Sequence, residues 1–330
     1  MKETAAPGVP NAAFVAQVRE RVGRVVVGQD VVVERVLIAL FTGGHLLLQG
    51  MPGLAKTLLV NTIARVIDLK FARIQFTVDM LPSDIIGSEI IDQKSGEFRA
   101  HKGPVFTNLL LADEINRASP KVQSAMLEAM QERKVTIGDS SIRLPVPFLV
   151  IATQNPVEQS GTFELPEAQL DRFMLVHRLG YPDEKEEEEI LRRQLGMGLN
   201  RDEGGGAVPR TAFDMIGDEA VDNINDLTAA MEAVQKVHVS EVFVKHCVEL
   251  VRRTRESEHL DFGCSPRAGL ALINASRARA FIRGRDHVLP EDMFELAEDV
   301  ILHRIRLTYE AAAGGQTGPQ VLQKVLADLS

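Results

Sequence analysis

The sequence has no tryptophan and only two tyrosines, which leaves little material for an aromatic surface that stacks on sugars or nucleobases. Its two cysteines, Cys247 and Cys264, stand apart. They make neither a metal-ligand spacing nor a disulfide framework, and read as reduced thiols in a reducing compartment. The eight histidines show no ligand spacing either. No apolar run suits a bilayer: VVVERVLIALF, the most apolar stretch near the front, is short and carries Glu34 and Arg35. The opening MKETAAPGVP is polar, without the apolar centre of a secretory signal. These absences predict a cytoplasmic protein with no membrane span. The formal net charge of −9 has the wrong sign for a surface that attracts nucleic acid as a whole.

What is present is an ordinary globular composition, 45% apolar and 25% charged over 330 residues, enough for one large domain or two. The first half alternates apolar runs with amphipathic ones. HLLLQG, FARIQFT, VFTNLLLADE and PVPFLVIATQN read as strands, with MLVHRLG as a fifth. They are near-continuously apolar, as in a parallel sheet covered on both faces. Helical patterns at 56–69, 120–133 and 165–172 lie between them, so the pattern predicts an α/β fold. At YPDEKEEEEILRRQL the character changes: Tyr181-Pro182 breaks the pattern and an acidic run opens a helix. RDEGGGAVPR reads as a loop, and from about Leu227 onward only helical patterns follow. The expected division is an α/β core over 1–184 and a smaller all-α domain over 185–330, with the boundary between 180 and 210.

The chemistry starts at QGMPGLAKTLL, between an apolar run and a helical one. It nearly spells the phosphate-binding loop G-x-x-x-x-G-K-[ST], with Ala55 where the last glycine belongs. A loop that opens a helix aims backbone N–H groups at one spot, and the helix end adds about half a positive charge there. Gly50 and Gly53 allow tight turns and close approach. Lys56 would reach the β- and γ-phosphates of ATP, and Thr57 would hold Mg²⁺. Ala55 fits if its φ is negative, as at a helix start. The alternative is an ordinary glycine-rich strand-turn-helix. Downstream, NLLLADE ends a strand on Asp113 and Glu114, two carboxylates that are costly at a buried strand end unless a cation neutralises them. A Mg²⁺–nucleotide complex would do so, with Asp113 serving the metal and Glu114 acting as general base on the attacking water. FLVIATQNP ends in Thr153 and Asn155, where open α/β sheets bind ligands. Asn155 would orient the water or touch the γ-phosphate; the plainer reading is an Asx turn before Pro156.

With these residues in view the chain resembles the MoxR group of AAA+ ATPases along nearly its whole length. The resemblance rests on VVGQD at 26–30, GMPGLAKT at 50–57, LPSDIIGSEI at 81–90, ADEINRASPKVQSAMLEAMQE at 112–132, ATQNP at 152–156, LPEAQLDRF at 165–173, SPRAG at 265–269 and HRIRLTYEA at 303–311. It implies an AAA+ P-loop core with a central parallel five-stranded sheet, followed by an all-α lid. It also implies an ATP- or ADP-binding site with Mg²⁺, and a homo-oligomer, a hexameric ring, with nucleotide at the subunit interface. Val27, Gly28 and Gln29 match the stretch against adenine, and Gly50, Pro52, Gly53, Leu54, Ala55, Lys56, Thr57 and Leu58 the phosphate loop. Asn155 matches sensor 1, Arg172 the arginine finger that acts on the neighbour, and Arg267 the sensor 2 arginine. Segment 78–106 matches inserted loops that face the pore or a partner. Glu164 stands where the family often has proline.

The resemblance further implies ATP hydrolysis by a chaperone-like motor, acting with a separate von Willebrand factor A domain protein in maturing a target complex or inserting its metal cofactor. A nucleic-acid motor is the competing reading, opposed by the acidic balance and the absence of a basic aromatic groove, so no stable nucleic-acid binding is expected. A chelatase motor subunit and an ATP-binding assembly switch with little hydrolysis are the others. Arg252, Arg253, Arg255, Arg277, Arg279, Arg283 and Arg285 are expected on solvated faces or in intersubunit ion pairs; His303 and Arg304 carry no assigned role.

Overall fold

The five apolar runs form the five strands of one parallel sheet. The computed structural model describes residues 12–91, 96–155, 161–201, 206–215 and 224–329. Helices α1 (Ala12–Val25) and α2 (Asp30–Thr42) lead into strand β1 (Leu46–Gln49), helix α3 (Lys56–Val66) and strand β2 (Phe71–Gln75). An inserted segment follows, with helix α4 (Pro82–Ile86) and the antiparallel pair β3 (Gly87–Ile91) and β4 (Phe98–Lys102). Strand β5 (Leu109–Asp113) and helix α5 (Pro120–Glu132) precede a second antiparallel pair, β6 (Lys134–Ile137) and β7 (Ser140–Arg143). Strand β8 (Leu149–Gln154), the short helix α6 (Glu167–Leu170) and strand β9 (Leu175–Arg178) complete the sheet region. The sheet order is β2-β5-β8-β1-β9.

The remainder is mostly helical. Helix α7 (Glu184–Gly196) is followed by the short antiparallel pair β10 (Leu199–Arg201) and β11 (Ala207–Pro209), then by helices α8 (Ile224–Lys236) and α9 (Glu241–Glu256). Strand β12 (Leu260–Phe262), helices α10 (Pro266–Ile282) and α11 (Pro290–Ile301), strand β13 (Arg306–Leu307) and helices α12 (Tyr309–Ala313) and α13 (Gly318–Ala327) follow. Two expectations are corrected here. The loop around 201–210 is flanked by the β10–β11 pair, and the lid holds a two-stranded ribbon, β12–β13. Both pairs are two or three residues long, too short to leave a period-2 signal.

The apolar runs are continuous because both sheet faces are covered, and side chains alternate between two cores. Leu46, Leu48, Leu109, Leu111 and Ile151 face a core shared with α1, α2, α3 and the lid helices. Leu47, Leu110, Ala112, Val150 and Ala152 face the other, with α5 and the β6–β7 pair. His45 ties the amino end of the sheet to α5: its Nδ1 accepts the Val150 N–H at 3.1 Å, so Nε2 donates to the Met130 carbonyl at 3.1 Å. Burial pushes its pKa down from 6.5 to about 4. The folded chain therefore holds His45 neutral while the unfolded chain takes up a proton. Stability is expected to be complete above pH 6.5 and to fall by about 3 kcal/mol as the pH drops toward 4. Urea titrations at those two pH values, compared with His45→Gln, check this.

The charges inside VVVERVLIALF belong to a buried seam joining α2 to the lid. Glu34, its side chain 2% exposed, meets Arg19, Arg35 and Arg283 at 3.1, 3.0 and 2.8 Å. Arg35 also pairs with Asp299 at 2.5 Å, and Asp299 with His177 of β9 at 2.9 Å. Asp292, fully buried, receives Arg279 at 2.5 Å, Arg285 at 2.6 Å and the Leu289 N–H at 2.9 Å. Arg279 and Arg283 thus reach Glu34 across this chain's own core–lid contact, while Arg285 holds Asp292 within the lid; Arg279, 12% exposed, departs from the expected solvated face. Helical periodicity cannot show a partner 250 residues away in the chain. Arg252 and Arg253 do lie on a solvated face, in i,i+4 pairs with Glu256 and Glu249. Asp292→Ala is expected to destabilise the protein by up to about 3 kcal/mol, because it removes the carboxylate from two arginines that are only 12% and 23% exposed. Denaturant unfolding measures it.

Candidate active site

At the carboxyl end of β1 the chain turns through Gly50–Ala55 and enters α3 at Lys56. Gly53 sits at φ +87°, where a side chain is strained. Ala55 is left-handed too, with φ 53° and ψ 22°, which overturns the expected negative φ. The reason is its position: Ala55 is the cap residue outside the helix, and its carbonyl accepts the first helical bond, from Leu59 N–H at 2.9 Å. This conformation costs a residue with a Cβ about 1–2 kcal/mol. Ala55→Gly is expected to leave nucleotide binding unchanged and to stabilise the chain by up to about 1 kcal/mol, glycine's unfolded-state entropy offsetting part of the relief. A melting curve reads the sign.

Ala55 offers no side-chain cap, so the first N–H groups of α3 are open to an anion. Lys56 Nζ donates to the Gly50 carbonyl at 2.9 Å, which folds the ammonium back over the loop. Burial lowers its pKa, and the negative charges of Asp113 and Glu114 act against that shift. The lysine therefore lies in the field of both carboxylates, as a phosphate-bridging cation should. Thr57 follows, partly buried in the first turn of α3.

The two acids are held by their neighbours. Asp113 is 8% exposed. Its Oδ1 accepts the Thr153 hydroxyl at 2.6 Å, and its Oδ2 accepts Arg73 Nη2 at 2.6 Å. Thr153 Oγ1 in turn accepts the Glu114 N–H at 2.9 Å, so one hydroxyl fixes both residues. Glu114 is left-handed at φ 58°, ψ 50°, and its carboxylate lies 2.8 Å from Arg117 Nε. Asn155, 7% exposed, stands just past the end of β8, the strand between β5 and β1. The hydroxyl of Thr57 and the carboxylate of Asp113 are hard oxygen donors of the kind Mg²⁺ selects, so the donor set fits that ion.

Beside the loop is a cavity of about 400 Å³. Val27, Gln29, Pro52, Gly53, Leu54, Ala55 and Leu58 line one side, and Tyr181, Pro182, Ile190 and Leu191 the other. Gly28 has φ +71°, which favours glycine, and it lies directly under the Glu186 carboxylate, 2.4 Å from where a Cβ would stand. The start of α7 thus closes on the VVGQD turn. No motif pointed to this second wall, although Tyr181-Pro182 marked the point where the pattern breaks. A larger open groove of 840 Å³ lies between α9 and α13, and none of the motif residues lines it.

Residues 45–175 match the model of the ATPase family associated with various cellular activities, and 252–325 match the AAA lid domain. The chain is 46% identical to Chaperone MoxR1 of Mycobacterium tuberculosis over 92% of its own length and 79% of that protein's. It is 29% identical to Protein MoxR of Methylorubrum extorquens, over 88% of this chain and 87% of that one. The chain belongs to the MoxR family of AAA ATPases. A crystal structure of a Cytophaga hutchinsonii protein assigned as an ATPase superposes with a TM-score of 0.85 at 46% identity, covering 96% of this chain and 94% of that one.

In this MoxR-family chain the two remaining arginines stand elsewhere. β1 and β9 run parallel, Leu46 opposite Leu175 and Gln49 opposite Arg178. The phosphate loop leaves the carboxyl end of β1, whereas Arg172 precedes the amino end of β9, where Met174 N–H meets the His45 carbonyl at 2.9 Å. A four-residue strand, about 13 Å at 3.3 Å per residue, separates the two levels. Arg172 is held there by Gln131 at 3.1 Å and the Ala168 carbonyl at 2.7 Å. Arg267 pairs with Asp171 at 3.4 Å and does not line the nucleotide cavity. Asp171 also accepts Ser265 Oγ, at 3.2 Å to Oδ2, and Arg304 Nε at 2.8 Å. Arg304, buried, donates further to the Phe173 carbonyl at 2.7 Å. One chain therefore brings Lys56, Thr57, Asp113, Glu114 and Asn155 to one end of the sheet, and Arg172 and Arg267 to the other. Sequence reasoning missed Arg73, Asp171 and Arg304; only the LDRF motif, by setting Asp171 beside Arg172, hinted at the second cluster.

The inserted segment 78–106 is exposed along β4, with Ile90, Ile91 and Phe98 about half or more exposed. Glu164, the departure from the family pattern, is solvent-exposed, and nothing in its surroundings explains it. Among the described residues no helix is long and apolar enough to cross a membrane.

Proposed function

We propose that the chain hydrolyses ATP with Mg²⁺ as one subunit of a MoxR-type ring, most simply a hexamer, and works as a chaperone-like motor. The observation that carries this is the division of the site: loop, metal donors and base at the carboxyl end of the sheet, and two arginines at the amino end. In this reading the α3 amino end and Lys56 bind the β- and γ-phosphates, and Val27, Gly28 and Gln29 hold the base against Tyr181. Thr57 and Asp113 hold Mg²⁺, which when bound neutralises phosphate charge. Asn155 orients a water, Glu114 takes its proton as the oxygen bonds to the γ-phosphorus, and the bond to the β–γ bridging oxygen breaks to release ADP. Arg172 cannot serve its own nucleotide across the length of β1, so a second copy supplies it, and Arg267, paired with Asp171 next to it in the chain, travels with it. Arginine suits this task because its planar fork stays protonated while charge spreads over the phosphoryl oxygens.

The name of the mycobacterial relative and the family pattern support a chaperone-type role. The same pattern supports a separate von Willebrand factor A domain partner, with maturation of a target complex or insertion of its metal cofactor as the task. Steady-state ATP hydrolysis per subunit, followed against protein concentration with Mg²⁺, tests the proposal. A specific rate that climbs with concentration is expected. A rate that stays flat from nanomolar to micromolar protein while the chain passes from monomer to oligomer would overturn the shared site.

A further inference from the structure

The residue assigned as the base of hydrolysis has a cation beside it in the chain alone. Glu114 closes β5 in the left-handed region, and the turn Ile115–Arg117 follows at once. Arg117 N–H returns to the Glu114 carbonyl at 2.9 Å, so the turn itself carries the guanidinium back over the carboxylate, to 2.8 Å. The contact is an ion pair on one carboxylate oxygen, Oε2, with no hydrogen bond from Arg117 Nε, and it holds that oxygen against the cation. The pair is partly open, with side-chain exposures of 26% for Glu114 and 40% for Arg117, so it can be exchanged without breaking a core.

The turn is also tied to the segment that leads to Arg172. Phe163 N–H donates to the Asn116 carbonyl at 2.6 Å, and Gln123 Nε2 bridges the Phe163 carbonyl at 3.2 Å and the Ile115 carbonyl at 3.4 Å. Three residues beyond Phe163, Pro166 caps α6, the helix whose Ala168 carbonyl holds Arg172. The segment leading to α6 is thereby linked to the Arg117 turn by one backbone hydrogen bond and by the Gln123 side chain.

We propose that Arg117 is a positioning residue that restrains Glu114 in the isolated chain, and that docking of a second copy against the Arg172 segment releases it. The proposal rests on the reading of Glu114 as base and of Arg172 as acting in trans. It makes each subunit's hydrolysis depend on whether its own finger is engaged with the next nucleotide, which is a coupling between neighbouring sites.

The test is ATP turnover by Arg117→Gln and Arg117→Lys against concentration. Affinity for N-methylanthraniloyl-ADP and the melting temperature are measured alongside. A partly exposed pair of this kind holds back a factor of about two to five. Arg117→Gln is expected to exceed the parent by that factor at the lowest concentrations, with ADP affinity and melting temperature unchanged. The excess should shrink toward one as the oligomer fills, Arg117→Lys should stay near the parent, and the Glu114→Gln background should erase the effect. A ratio at or below one at low concentration would overturn the restraint. An excess that persists undiminished in the oligomer would overturn the neighbour's role in release. If Glu114→Gln alone turned over like the parent, the reading of the base would fail, which is a separate result.

Discussion

Glu114→Gln is expected to lower ATP turnover by at least about 10²-fold while ADP and ATP binding stay within a factor of two of the parent, because a positioned general base contributes about 10²–10⁴ in rate. The amide is nearly isosteric with the carboxylate. The left-handed turn is fixed by backbone bonds, from Glu114 N–H to Thr153 Oγ1 and from Arg117 N–H to the Glu114 carbonyl, that the substitution does not touch. What is lost is the proton acceptor. Lys56→Ala gives the opposite pattern: the ammonium that folds over the loop is gone, and nucleotide affinity falls. Measuring single-turnover hydrolysis and equilibrium binding on both variants separates the two roles. Parent-like turnover by the Gln variant would remove Glu114 from the chemistry.

Arg172→Ala is expected to cost about 10³-fold in turnover or more, at the lower end of what an arginine finger supplies in other phosphoryl transfers. Its nucleotide affinity should be close to normal, since the residue stands at the far end of β1 from its own loop. The decisive measurement is mixing. Lys56→Ala and Arg172→Ala are each expected to lose turnover, for different reasons. In a mixed oligomer some sites combine an intact loop from one chain with an intact arginine from the other, so partial recovery of turnover is expected. No recovery in mixtures shown to co-assemble would mean that Arg172 works within its own chain or only braces α6 through Gln131 and Ala168.

The order of strands along the chain, the loop between β1 and α3 and the acids at the end of β5 were legible because each is local. A near-continuous apolar run between turn residues has few readings other than a doubly covered strand, and a Gly-Leu-Ala-Lys-Thr turn at its end sets one helix start. Ala55 shows the limit even there. Its neighbours suggested a helical φ, but whether a cap residue lies inside or outside the first turn depends on how the loop must reverse to bring Lys56 over Gly50, and that is a tertiary matter.

The sequence by itself determined the residue types of the candidate site, their place at strand ends and the division into a sheet region and a helical one. It did so because phosphate loops, metal carboxylates and parallel strands have short-range signatures set by backbone geometry. Only the tertiary structure decided three things. Glu34 and Asp299 knit α2 to the lid, Asp171 gathers Arg267 and Arg304 beside Arg172, and that arginine cluster faces away from its own loop. These depend on parallel pairing and on ion pairs between residues up to 264 positions apart, and a charged residue in a helical pattern carries no record of which distant partner it meets.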